Sequence, residues 1–240
     1  MTRVVAIVPA WNEAGAIGGV VDEILAFDPS MDVVVVDDAS SDETADVAES
    51  HRATVLRLPF NVGIGGAVQT GFRYARDESY EIAVRLDGDG QHVAFELEKL
   101  LGPVRTGEAD LVIGSRFIDP GGTYRPPFAR RMGIRVFARL VSLLGGQKVT
   151  DTTSGFSAMN RAGIELFALE YPHDYPEVEA TLVALRSGLR LKQVQVEMRE
   201  RQAGTSSITF IRSLYYIVKV MLALLVASLR RYPRLEAARR

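Results

Sequence analysis

The 240-residue chain contains no cysteine, which excludes disulfides and thiolate zinc sites and leaves the redox compartment open. Its histidines, His51, His92 and His173, fall at no metal-ligand spacing. There is no basic surplus: 28 Lys and Arg against 30 Asp and Glu leave a net charge of -2, which argues against a general nucleic-acid binder. No Ser-His-Asp order and no nucleophile elbow is visible, so hydrolase chemistry of that kind has little support. Long apolar runs are also missing. The longest, residues 214–229, is interrupted by Lys219 and falls short of the ~20 residues that a spanning helix needs. The start, Met1-Thr2-Arg3-Val4, runs straight into a strand-like segment without signal-peptide anatomy, which reads as cytoplasmic.

What is present is a chain that is 47% hydrophobic, enough for a full core. Its first half alternates apolar strand-like runs (4–9, 32–37, 54–58, 81–86 and 110–113) with amphipathic stretches (14–27, 42–51, 65–76 and 94–106). That alternation predicts an α/β fold, a Rossmann-like and mostly parallel sheet flanked by helices. The second half predicts helices over 128–144, 161–169 and 177–187, a turn and strand over 150–160, and a strand over 190–198. No repeat or low-complexity linker divides the chain. The expected organisation is a catalytic domain over 1–207 followed by a C-terminal amphipathic or apolar helix and basic tail over 208–240.

Polar clusters fall at the predicted carboxyl ends of the strands, where ligands bind in sheets of this kind. The most informative is Asp87-Gly88-Asp89-Gly90-Gln91-His92, after the apolar run Ile82-Ala83-Val84. On an extended strand, alternate side chains point the same way, so Asp87, Asp89 and Gln91 could converge on a hard divalent cation. A surface turn is the competing reading, since Asp and Gly are common turn residues. Asp37 and Asp38 are adjacent and point to opposite sides, so one can be held by backbone amides while the other meets a base or ribose. Asp42 reads as a helix cap. The glycine loop Asn61-Val62-Gly63-Ile64-Gly65-Gly66 is either a phosphate-cradling turn or a plain tight turn into a helix. Arginines at Arg116, at Arg130-Arg131, and at Arg199 and Arg201 supply planar forks suited to phosphate.

Arg212, Lys219 and Arg230 fall on one stripe of the C-terminal helix. That pattern suits a helix lying in an anionic membrane interface; packing on the domain or on a second copy is the alternative.

Taken in order, Val8-Pro9-Ala10-Trp11-Asn12-Glu13, Val36-Asp37-Asp38-Ala39-Ser40, Asn61-Val62-Gly63 with Gly65 and Gly71, Asp87–Gln91, Gly114-Ser115-Arg116-Phe117, Thr153-Ser154-Gly155-Phe156 and Arg201-Gln202-Ala203-Gly204-Thr205-Ser206 resemble a family-2 glycosyltransferase with the GT-A fold. The branch they are most similar to comprises the dolichyl-phosphate mannosyltransferases and polyprenyl-phosphate glycosyltransferases. The resemblance implies that Pro9, Trp11, Glu13, Asp38 and Gly65 hold the nucleotide. It also implies that Asp87, Asp89 and Gln91 gather around Mg2+ or Mn2+ bridging the diphosphate of a UDP-, GDP- or dTDP-linked sugar. Arg116 and Arg130 would meet an acceptor phosphate, and Arg201 the donor phosphates.

A phosphate acceptor is already ionised and needs no general base. Family members that glycosylate a hydroxyl carry an acid pair near a late helix; the corresponding stretch here, Asp174-Tyr175-Pro176-Glu177-Val178-Glu179, keeps Glu177, Glu179 or Asp174 open as a base. Glu177 in the first turn of a helix is the structural alternative. The expectation is therefore an inverting, metal-dependent transfer of a hexose to polyprenyl phosphate at the inner face of the cell membrane. The branch often carries transmembrane helices after the catalytic domain, and with only an interfacial candidate this chain would dock peripherally, or on a small membrane partner or a second copy. The alternatives are transfer to a sugar hydroxyl of a lipid-linked glycan, or a catalytically silent nucleotide-binding subunit of a polysaccharide machine.

Overall fold

The computed structural model describes residues 2–118, 128–199, 210–230 and 232, with backbone only at 128–130 and 210–218. Seven strands form one sheet: β1 (Val4–Ala10), β2 (Asp32–Asp37), β3 (Thr54–Arg57), β4 (Ile82–Arg85), β5 (Leu111–Ser115), β6 (Ser157–Asn160) and β7 (Leu191–Gln195). They lie in the order β3-β2-β1-β4-β6-β5-β7. Every pairing is parallel except those of β6, which runs antiparallel to β4 and β5. The helices are α1 (Ile17–Phe27), α2 (Thr44–Ser50), α3 (Gly63–Asp77), α4 (Leu97–Arg105), α5 (Phe128–Gly145), α6 (Arg161–Leu169), α7 (Pro176–Arg186) and α8 (Phe210–Leu229). A 3-10 turn, Ala94–Glu96, precedes α4, where the sequence suggested one continuous helix.

The apolar runs of β1 and β2 are buried because the sheet is covered on both faces. Alternate residues divide between two cores. Val4, Ala6 and Val8 pack with Val20, Ile24, Leu97 and Leu101 of α1 and α4. Val5 and Ile7 pack with Val68 and Phe72 of α3 and Ile164 and Phe167 of α6. The period of two thus sets which layer each side chain joins. The Cβ of any residue at Gly71 would stand 2.3 Å from Ile7 Cγ2, so α3 can lie this close to β1 only with glycine there.

A third core joins α5, α7 and α8. Val220, Leu224 and Ala227 of α8 are buried against Phe137, Val141, Val178 and Leu182. The C-terminal helix is therefore packed on the domain along one face. Leu222, Leu225, Val226 and Leu229 remain exposed on α8. Among the described residues, no helix is long and apolar enough to cross a membrane.

Asp110 ties the ends of three strands together. Its carboxylate accepts from Asn160 Nδ2 at 2.9 Å, Arg190 Nη2 at 2.7 Å, Arg190 Nε at 3.0 Å and the Arg190 amide at 2.9 Å. Burial pushes this carboxyl up, but the Arg190 donors and charge, with Asn160, more than offset it, so its pKa is lowered. A lowered carboxylate contributes stability that is present above the ordinary unfolded pKa and is lost as pH falls through the folded value. Asp110→Asn should therefore lower the urea midpoint at pH 7, and its gap from the unaltered protein should close as the pH approaches the folded pKa. A gap that does not depend on pH would contradict this reading.

Candidate active site

The loops following β1, β2 and β3 lock to one another before any ligand is considered. Asn12 adopts φ 55°, and its amide donates to Ser40 Oγ at 2.9 Å while its Oδ1 accepts from the Ser41 amide at 2.8 Å. The Glu13 amide donates to Thr44 Oγ1 at 2.8 Å and the Ala14 amide to Asp42 Oδ2 at 3.2 Å. Asp42 also accepts from the Thr44 amide at 3.1 Å; the N-cap of α2 is Glu43, without a side-chain cap bond, so Asp42 braces the entry to the helix from one position before the cap expected of it. This network holds Trp11, which is 56% exposed, at the rim of a cleft.

Asp38 is buried and fixes the glycine loop. Its two oxygens accept the amides of Val62 at 2.7 Å and Gly63 at 2.9 Å. Gly63 has φ +81°, a backbone conformation that disfavours any side chain. Asp37 Oδ1 takes the Ser40 amide at 3.3 Å, so both members of the acidic pair bond to backbone. The nucleotide-contact expectation for Asp38 is thus joined by the backbone-holding task that the sequence offered for one member of the pair. For Gly65 the structure supplies a different reason from the one expected: a Cβ there would lie 2.5 Å from the carbonyl of Pro172 and 2.6 Å from His173 Cα. Its smallness serves the packing of α3 on the segment before α7.

The Asp87–Gln91 cluster does not continue β4, which ends at Arg85. These residues form a turn with Gly90 at φ +74°, so simple strand alternation does not bring them together. The Asp87 amide donates to His92 Nδ1 at 2.9 Å, and the His92 ring stacks on Phe156 with centroids 4.8 Å apart. Burial lowers the His92 pKa, favouring the neutral ring whose Nδ1 can accept that amide. Gln91 donates its backbone amide to Asp89 Oδ1 at 3.0 Å and its side-chain amide to Asp89 Oδ2. The backbone and side-chain donors of Gln91 therefore both meet Asp89 and steady its carboxylate.

Beneath the turn lies Arg85, which is 3% exposed. Its Nη2 donates to Asp87 Oδ1 at 3.2 Å and to Glu177 Oε1 at 2.8 Å, and its Nη1 donates to Tyr171 Oη at 2.8 Å. Burial pushes the Asp87 carboxyl up, but the neighbouring Arg85 charge holds it below its usual range. Burial pushes the Tyr171 phenol up to about 12, so it is a neutral partner.

Pro9, Trp11, Glu13, Asp38, Asp87, Asp89 and Glu177 all line this cleft of about 420 Å³. It therefore gathers most of the residues singled out in the sequence, at the carboxyl ends of β1, β2 and β4. Five of those residues are carboxylates, and among the described lining residues the only cation is Arg85. Arg116 does not line this cleft, although its charge is near enough to act on Asp87 and His92. It is buried, with Nε 2.8 Å from Asp151 Oδ2 and Nη2 3.1 Å from Asp151 Oδ1 and 2.6 Å from Thr153 Oγ1. The fork expected for an acceptor phosphate binds the loop after α5 to the end of β5. Arg130 opens α5, where only backbone is described, and Arg201 lies outside the described residues.

Sequence reading gave no role to Arg85 or Tyr171, and it took Gly155 only as part of a matching motif. The available signal was a charged residue closing the apolar run 82–84, which in a central strand demands a buried partner.

Among the described residues, no group of three or more His, Cys, Asp or Glu side chains forms a metal cage. Asp87 and Asp89 nevertheless fit a Mg2+ or Mn2+ ion, which is commonly held by one or two carboxylates with phosphates and water completing its shell.

Comparison with known proteins places this geometry. The glycosyl transferase family 2 model matches residues 5–167. An undecaprenyl-phosphate mannosyltransferase of Micrococcus luteus is 34% identical over 215 residues, spanning 86% of this chain and 88% of that protein. A polyprenol monophosphomannose synthase of Mycolicibacterium smegmatis is 31% identical over 217 residues, spanning 86% of this chain and 81% of that protein. Among solved structures, a glucosyl-3-phosphoglycerate synthase of Mycobacterium tuberculosis, crystallised with Mn2+, UDP and glucosyl-3-phosphoglycerate, shares the fold. It superposes with a TM-score of 0.71 at 24% identity, over 95% of this chain and 80% of that one.

Because Asp38 satisfies two backbone amides, Asp38→Ala should destabilise the protein by about 1–3 kcal/mol, the usual cost of stranding buried donors. Urea unfolding measures this directly. Unchanged stability would mean that the glycine loop holds its shape without the carboxylate.

Proposed function

This chain belongs to glycosyl transferase family 2 and is a glycosyltransferase, and from that premise we propose that it moves a hexose from a nucleotide diphosphate to a membrane polyprenyl phosphate with inversion at the anomeric carbon. The observation that carries the donor half is the acidic cleft. A diphosphate entering beside Glu13, Asp38, Asp87, Asp89 and Glu177 would meet five carboxylates and one guanidinium that is already shared. Such a site favours a diphosphate only with a divalent cation between the two sets of oxygens. The M. tuberculosis neighbour, crystallised with Mn2+ and UDP, supports the same chemistry.

In this reading Asp87 and Asp89 hold Mg2+ or Mn2+, and Gln91 holds Asp89 in orientation. The bound cation would offset the charge that develops on the departing nucleoside diphosphate. Pro9, Trp11 and Glu13 receive the nucleoside at the rim, and Asp38 keeps the glycine loop in place below it. An acceptor phosphate oxygen attacks the anomeric carbon, and the bond to the diphosphate breaks with its electron pair leaving on the nucleotide. Arg130 and Arg201 are assigned to the acceptor and donor phosphates.

The acceptor assignment is supported by the Micrococcus and Mycolicibacterium relatives, whose names specify undecaprenyl phosphate and polyprenol monophosphomannose. The bond from Arg85 Nη2 to Glu177 Oε1 at 2.8 Å also supports it, because that oxygen is already engaged by a fixed donor within the protein. Transfer to a hydroxyl is the second reading, favoured by the placement of Glu177 in the cleft and by the raised pKa of Glu179, which burial and nearby Asp174 push up.

Incubation with labelled UDP-, GDP- and dTDP-sugars, polyprenyl phosphate and Mn2+ should give a glycolipid whose sugar-phosphate bond breaks in mild acid. EDTA should suppress its formation. The acceptor assignment fails if no donor yields that product. Glu177→Gln should reduce kcat by no more than about tenfold for a phosphate acceptor, against the 10²–10⁴-fold loss expected on removing a general base.

Peripheral docking at the inner membrane face is part of the same reading. Exposed Leu222, Leu225, Val226 and Leu229 of α8 are accompanied by exposed Met132 and Leu143 of α5. Arg131, Arg135 and Arg139 are exposed on α5 as well. Deleting residues 208–240 would strip Val220 and Leu224 from the third core, so surface variants are the cleaner test. Leu222→Glu combined with Val226→Glu should weaken flotation with anionic vesicles and leave the melting transition in place. Undiminished flotation would rule out this face.

A further inference from the structure

We infer that Arg85 is a positioning residue of the donor site: its guanidinium, seated in a space that only glycine at 155 leaves open, fixes the direction in which Asp87 presents its carboxylate to the cleft. The inference rests on the metal-dependent reading above.

Arg85 closes β4 at the centre of the sheet, opposite Ile7 of β1 and Ser157 of β6. A cation that is only 3% exposed has little access to water, so its hydrogen bonds are directed chiefly by the protein. Nη2 is shared between Asp87 Oδ1 and Glu177 Oε1, and Nη1 goes to Tyr171 Oη. Among the described residues Nε has no acceptor, so the directional bonding of this group goes to these three oxygens.

The seat is built for this fork. A Cβ on Gly155 would stand 2.9 Å from Arg85 Nη2 and 2.9 Å from Asp87 Oδ1, so any larger residue must push the pair apart. His92 completes the arrangement from the other side. Its Nδ1 takes the Asp87 amide at 2.9 Å, and its Nε2 lies 3.8 Å from Asp87 Oδ2.

Two consequences follow for function. A ligand carboxylate pinned through one oxygen has a fixed orientation, and partners of this kind around ligand groups commonly set affinity. Because the same nitrogen also binds Glu177, the donor end of the cleft and the first turn of α7 are joined through one group. Lysine cannot reproduce this: an ammonium has no planar fork with which to face several partners at fixed angles.

Calorimetric titration with UDP and with GDP, each in Mn2+ and in EDTA, separates this role from general support of the fold. In the unaltered protein, Mn2+ should tighten one nucleotide or both. Arg85→Lys and Gly155→Ala should each lose on the order of tenfold or more of the affinity measured in Mn2+, while affinity in EDTA and the melting transition stay near those of the unaltered protein. A folded variant that keeps the full Mn2+-dependent gain overturns the inference. If the unaltered protein gains nothing from Mn2+ with either nucleotide, the metal-dependent reading itself falls and the inference falls with it.

Should neither variant fold, the unaltered protein still decides the matter by nitrogen-15 NMR. The Arg85 Nε–H resonance should shift when Mg2+ is added to the nucleotide complex, and a stationary resonance overturns the inference.

Discussion

One buried guanidinium sets the terms for the rest of the cleft. Arg85 ends a central strand almost wholly buried at the floor of the cleft, and an uncompensated charge there would cost several kcal/mol. Asp87, Glu177 and Tyr171 supply the compensation, and each belongs to a different part of the chain. The turn after β4, the segment before α7 and the first turn of α7 therefore assemble as a unit. Asp87 gains an orientation and a lowered pKa from the same contact, so charge balance and site geometry have one origin.

The surrounding loops are held by donors and acceptors of their own. Asp38 gathers the amides of Val62 and Gly63, and Asn12 interlocks with Ser40 and Ser41. Such loops keep their shape without a ligand, which reduces the ordering cost when one binds. A concentration of negative charge in a held cleft is what the proposed cation would offset. The repulsion among five carboxylates is relieved by adding an ion, since their anchoring bonds restrict rearrangement.

The C-terminal helix shows how one amphipathic pattern can serve two surfaces. Val220, Leu224 and Ala227 complete a core with α5 and α7, whereas Leu222, Leu225, Val226 and Leu229 face outward. The apolar run of this helix is thus too rich for a helix with one buried face. Its inward half makes it integral to the domain, and its outward half carries the proposed membrane contact.

Most of the fold was legible in the linear pattern. Apolar runs alternating with amphipathic stretches specified the parallel sheet and its helices, because those periods dictate which faces must be buried. The spacing of Asp87 and Asp89, and the polar residues ending β1 and β2, located the cleft for the same reason: parallel strands deliver their carboxyl ends to one edge. Partnership was not legible. Arg85 could meet Glu177, 92 positions away, only after β6 had inserted antiparallel beside β4 and α7 had packed behind it. Arg116 reads in the sequence as a phosphate fork, and the structure adds buried Asp151 as its partner; Gly65 reads as a ligand contact, and the backbone of Pro172 adds a packing reason for its smallness. The sequence by itself determined the elements, the edge at which they end and the chemistry placed there. The tertiary structure decided which charges face ligand and which are consumed by one another, because that depends on distances set by packing between residues far apart in the chain.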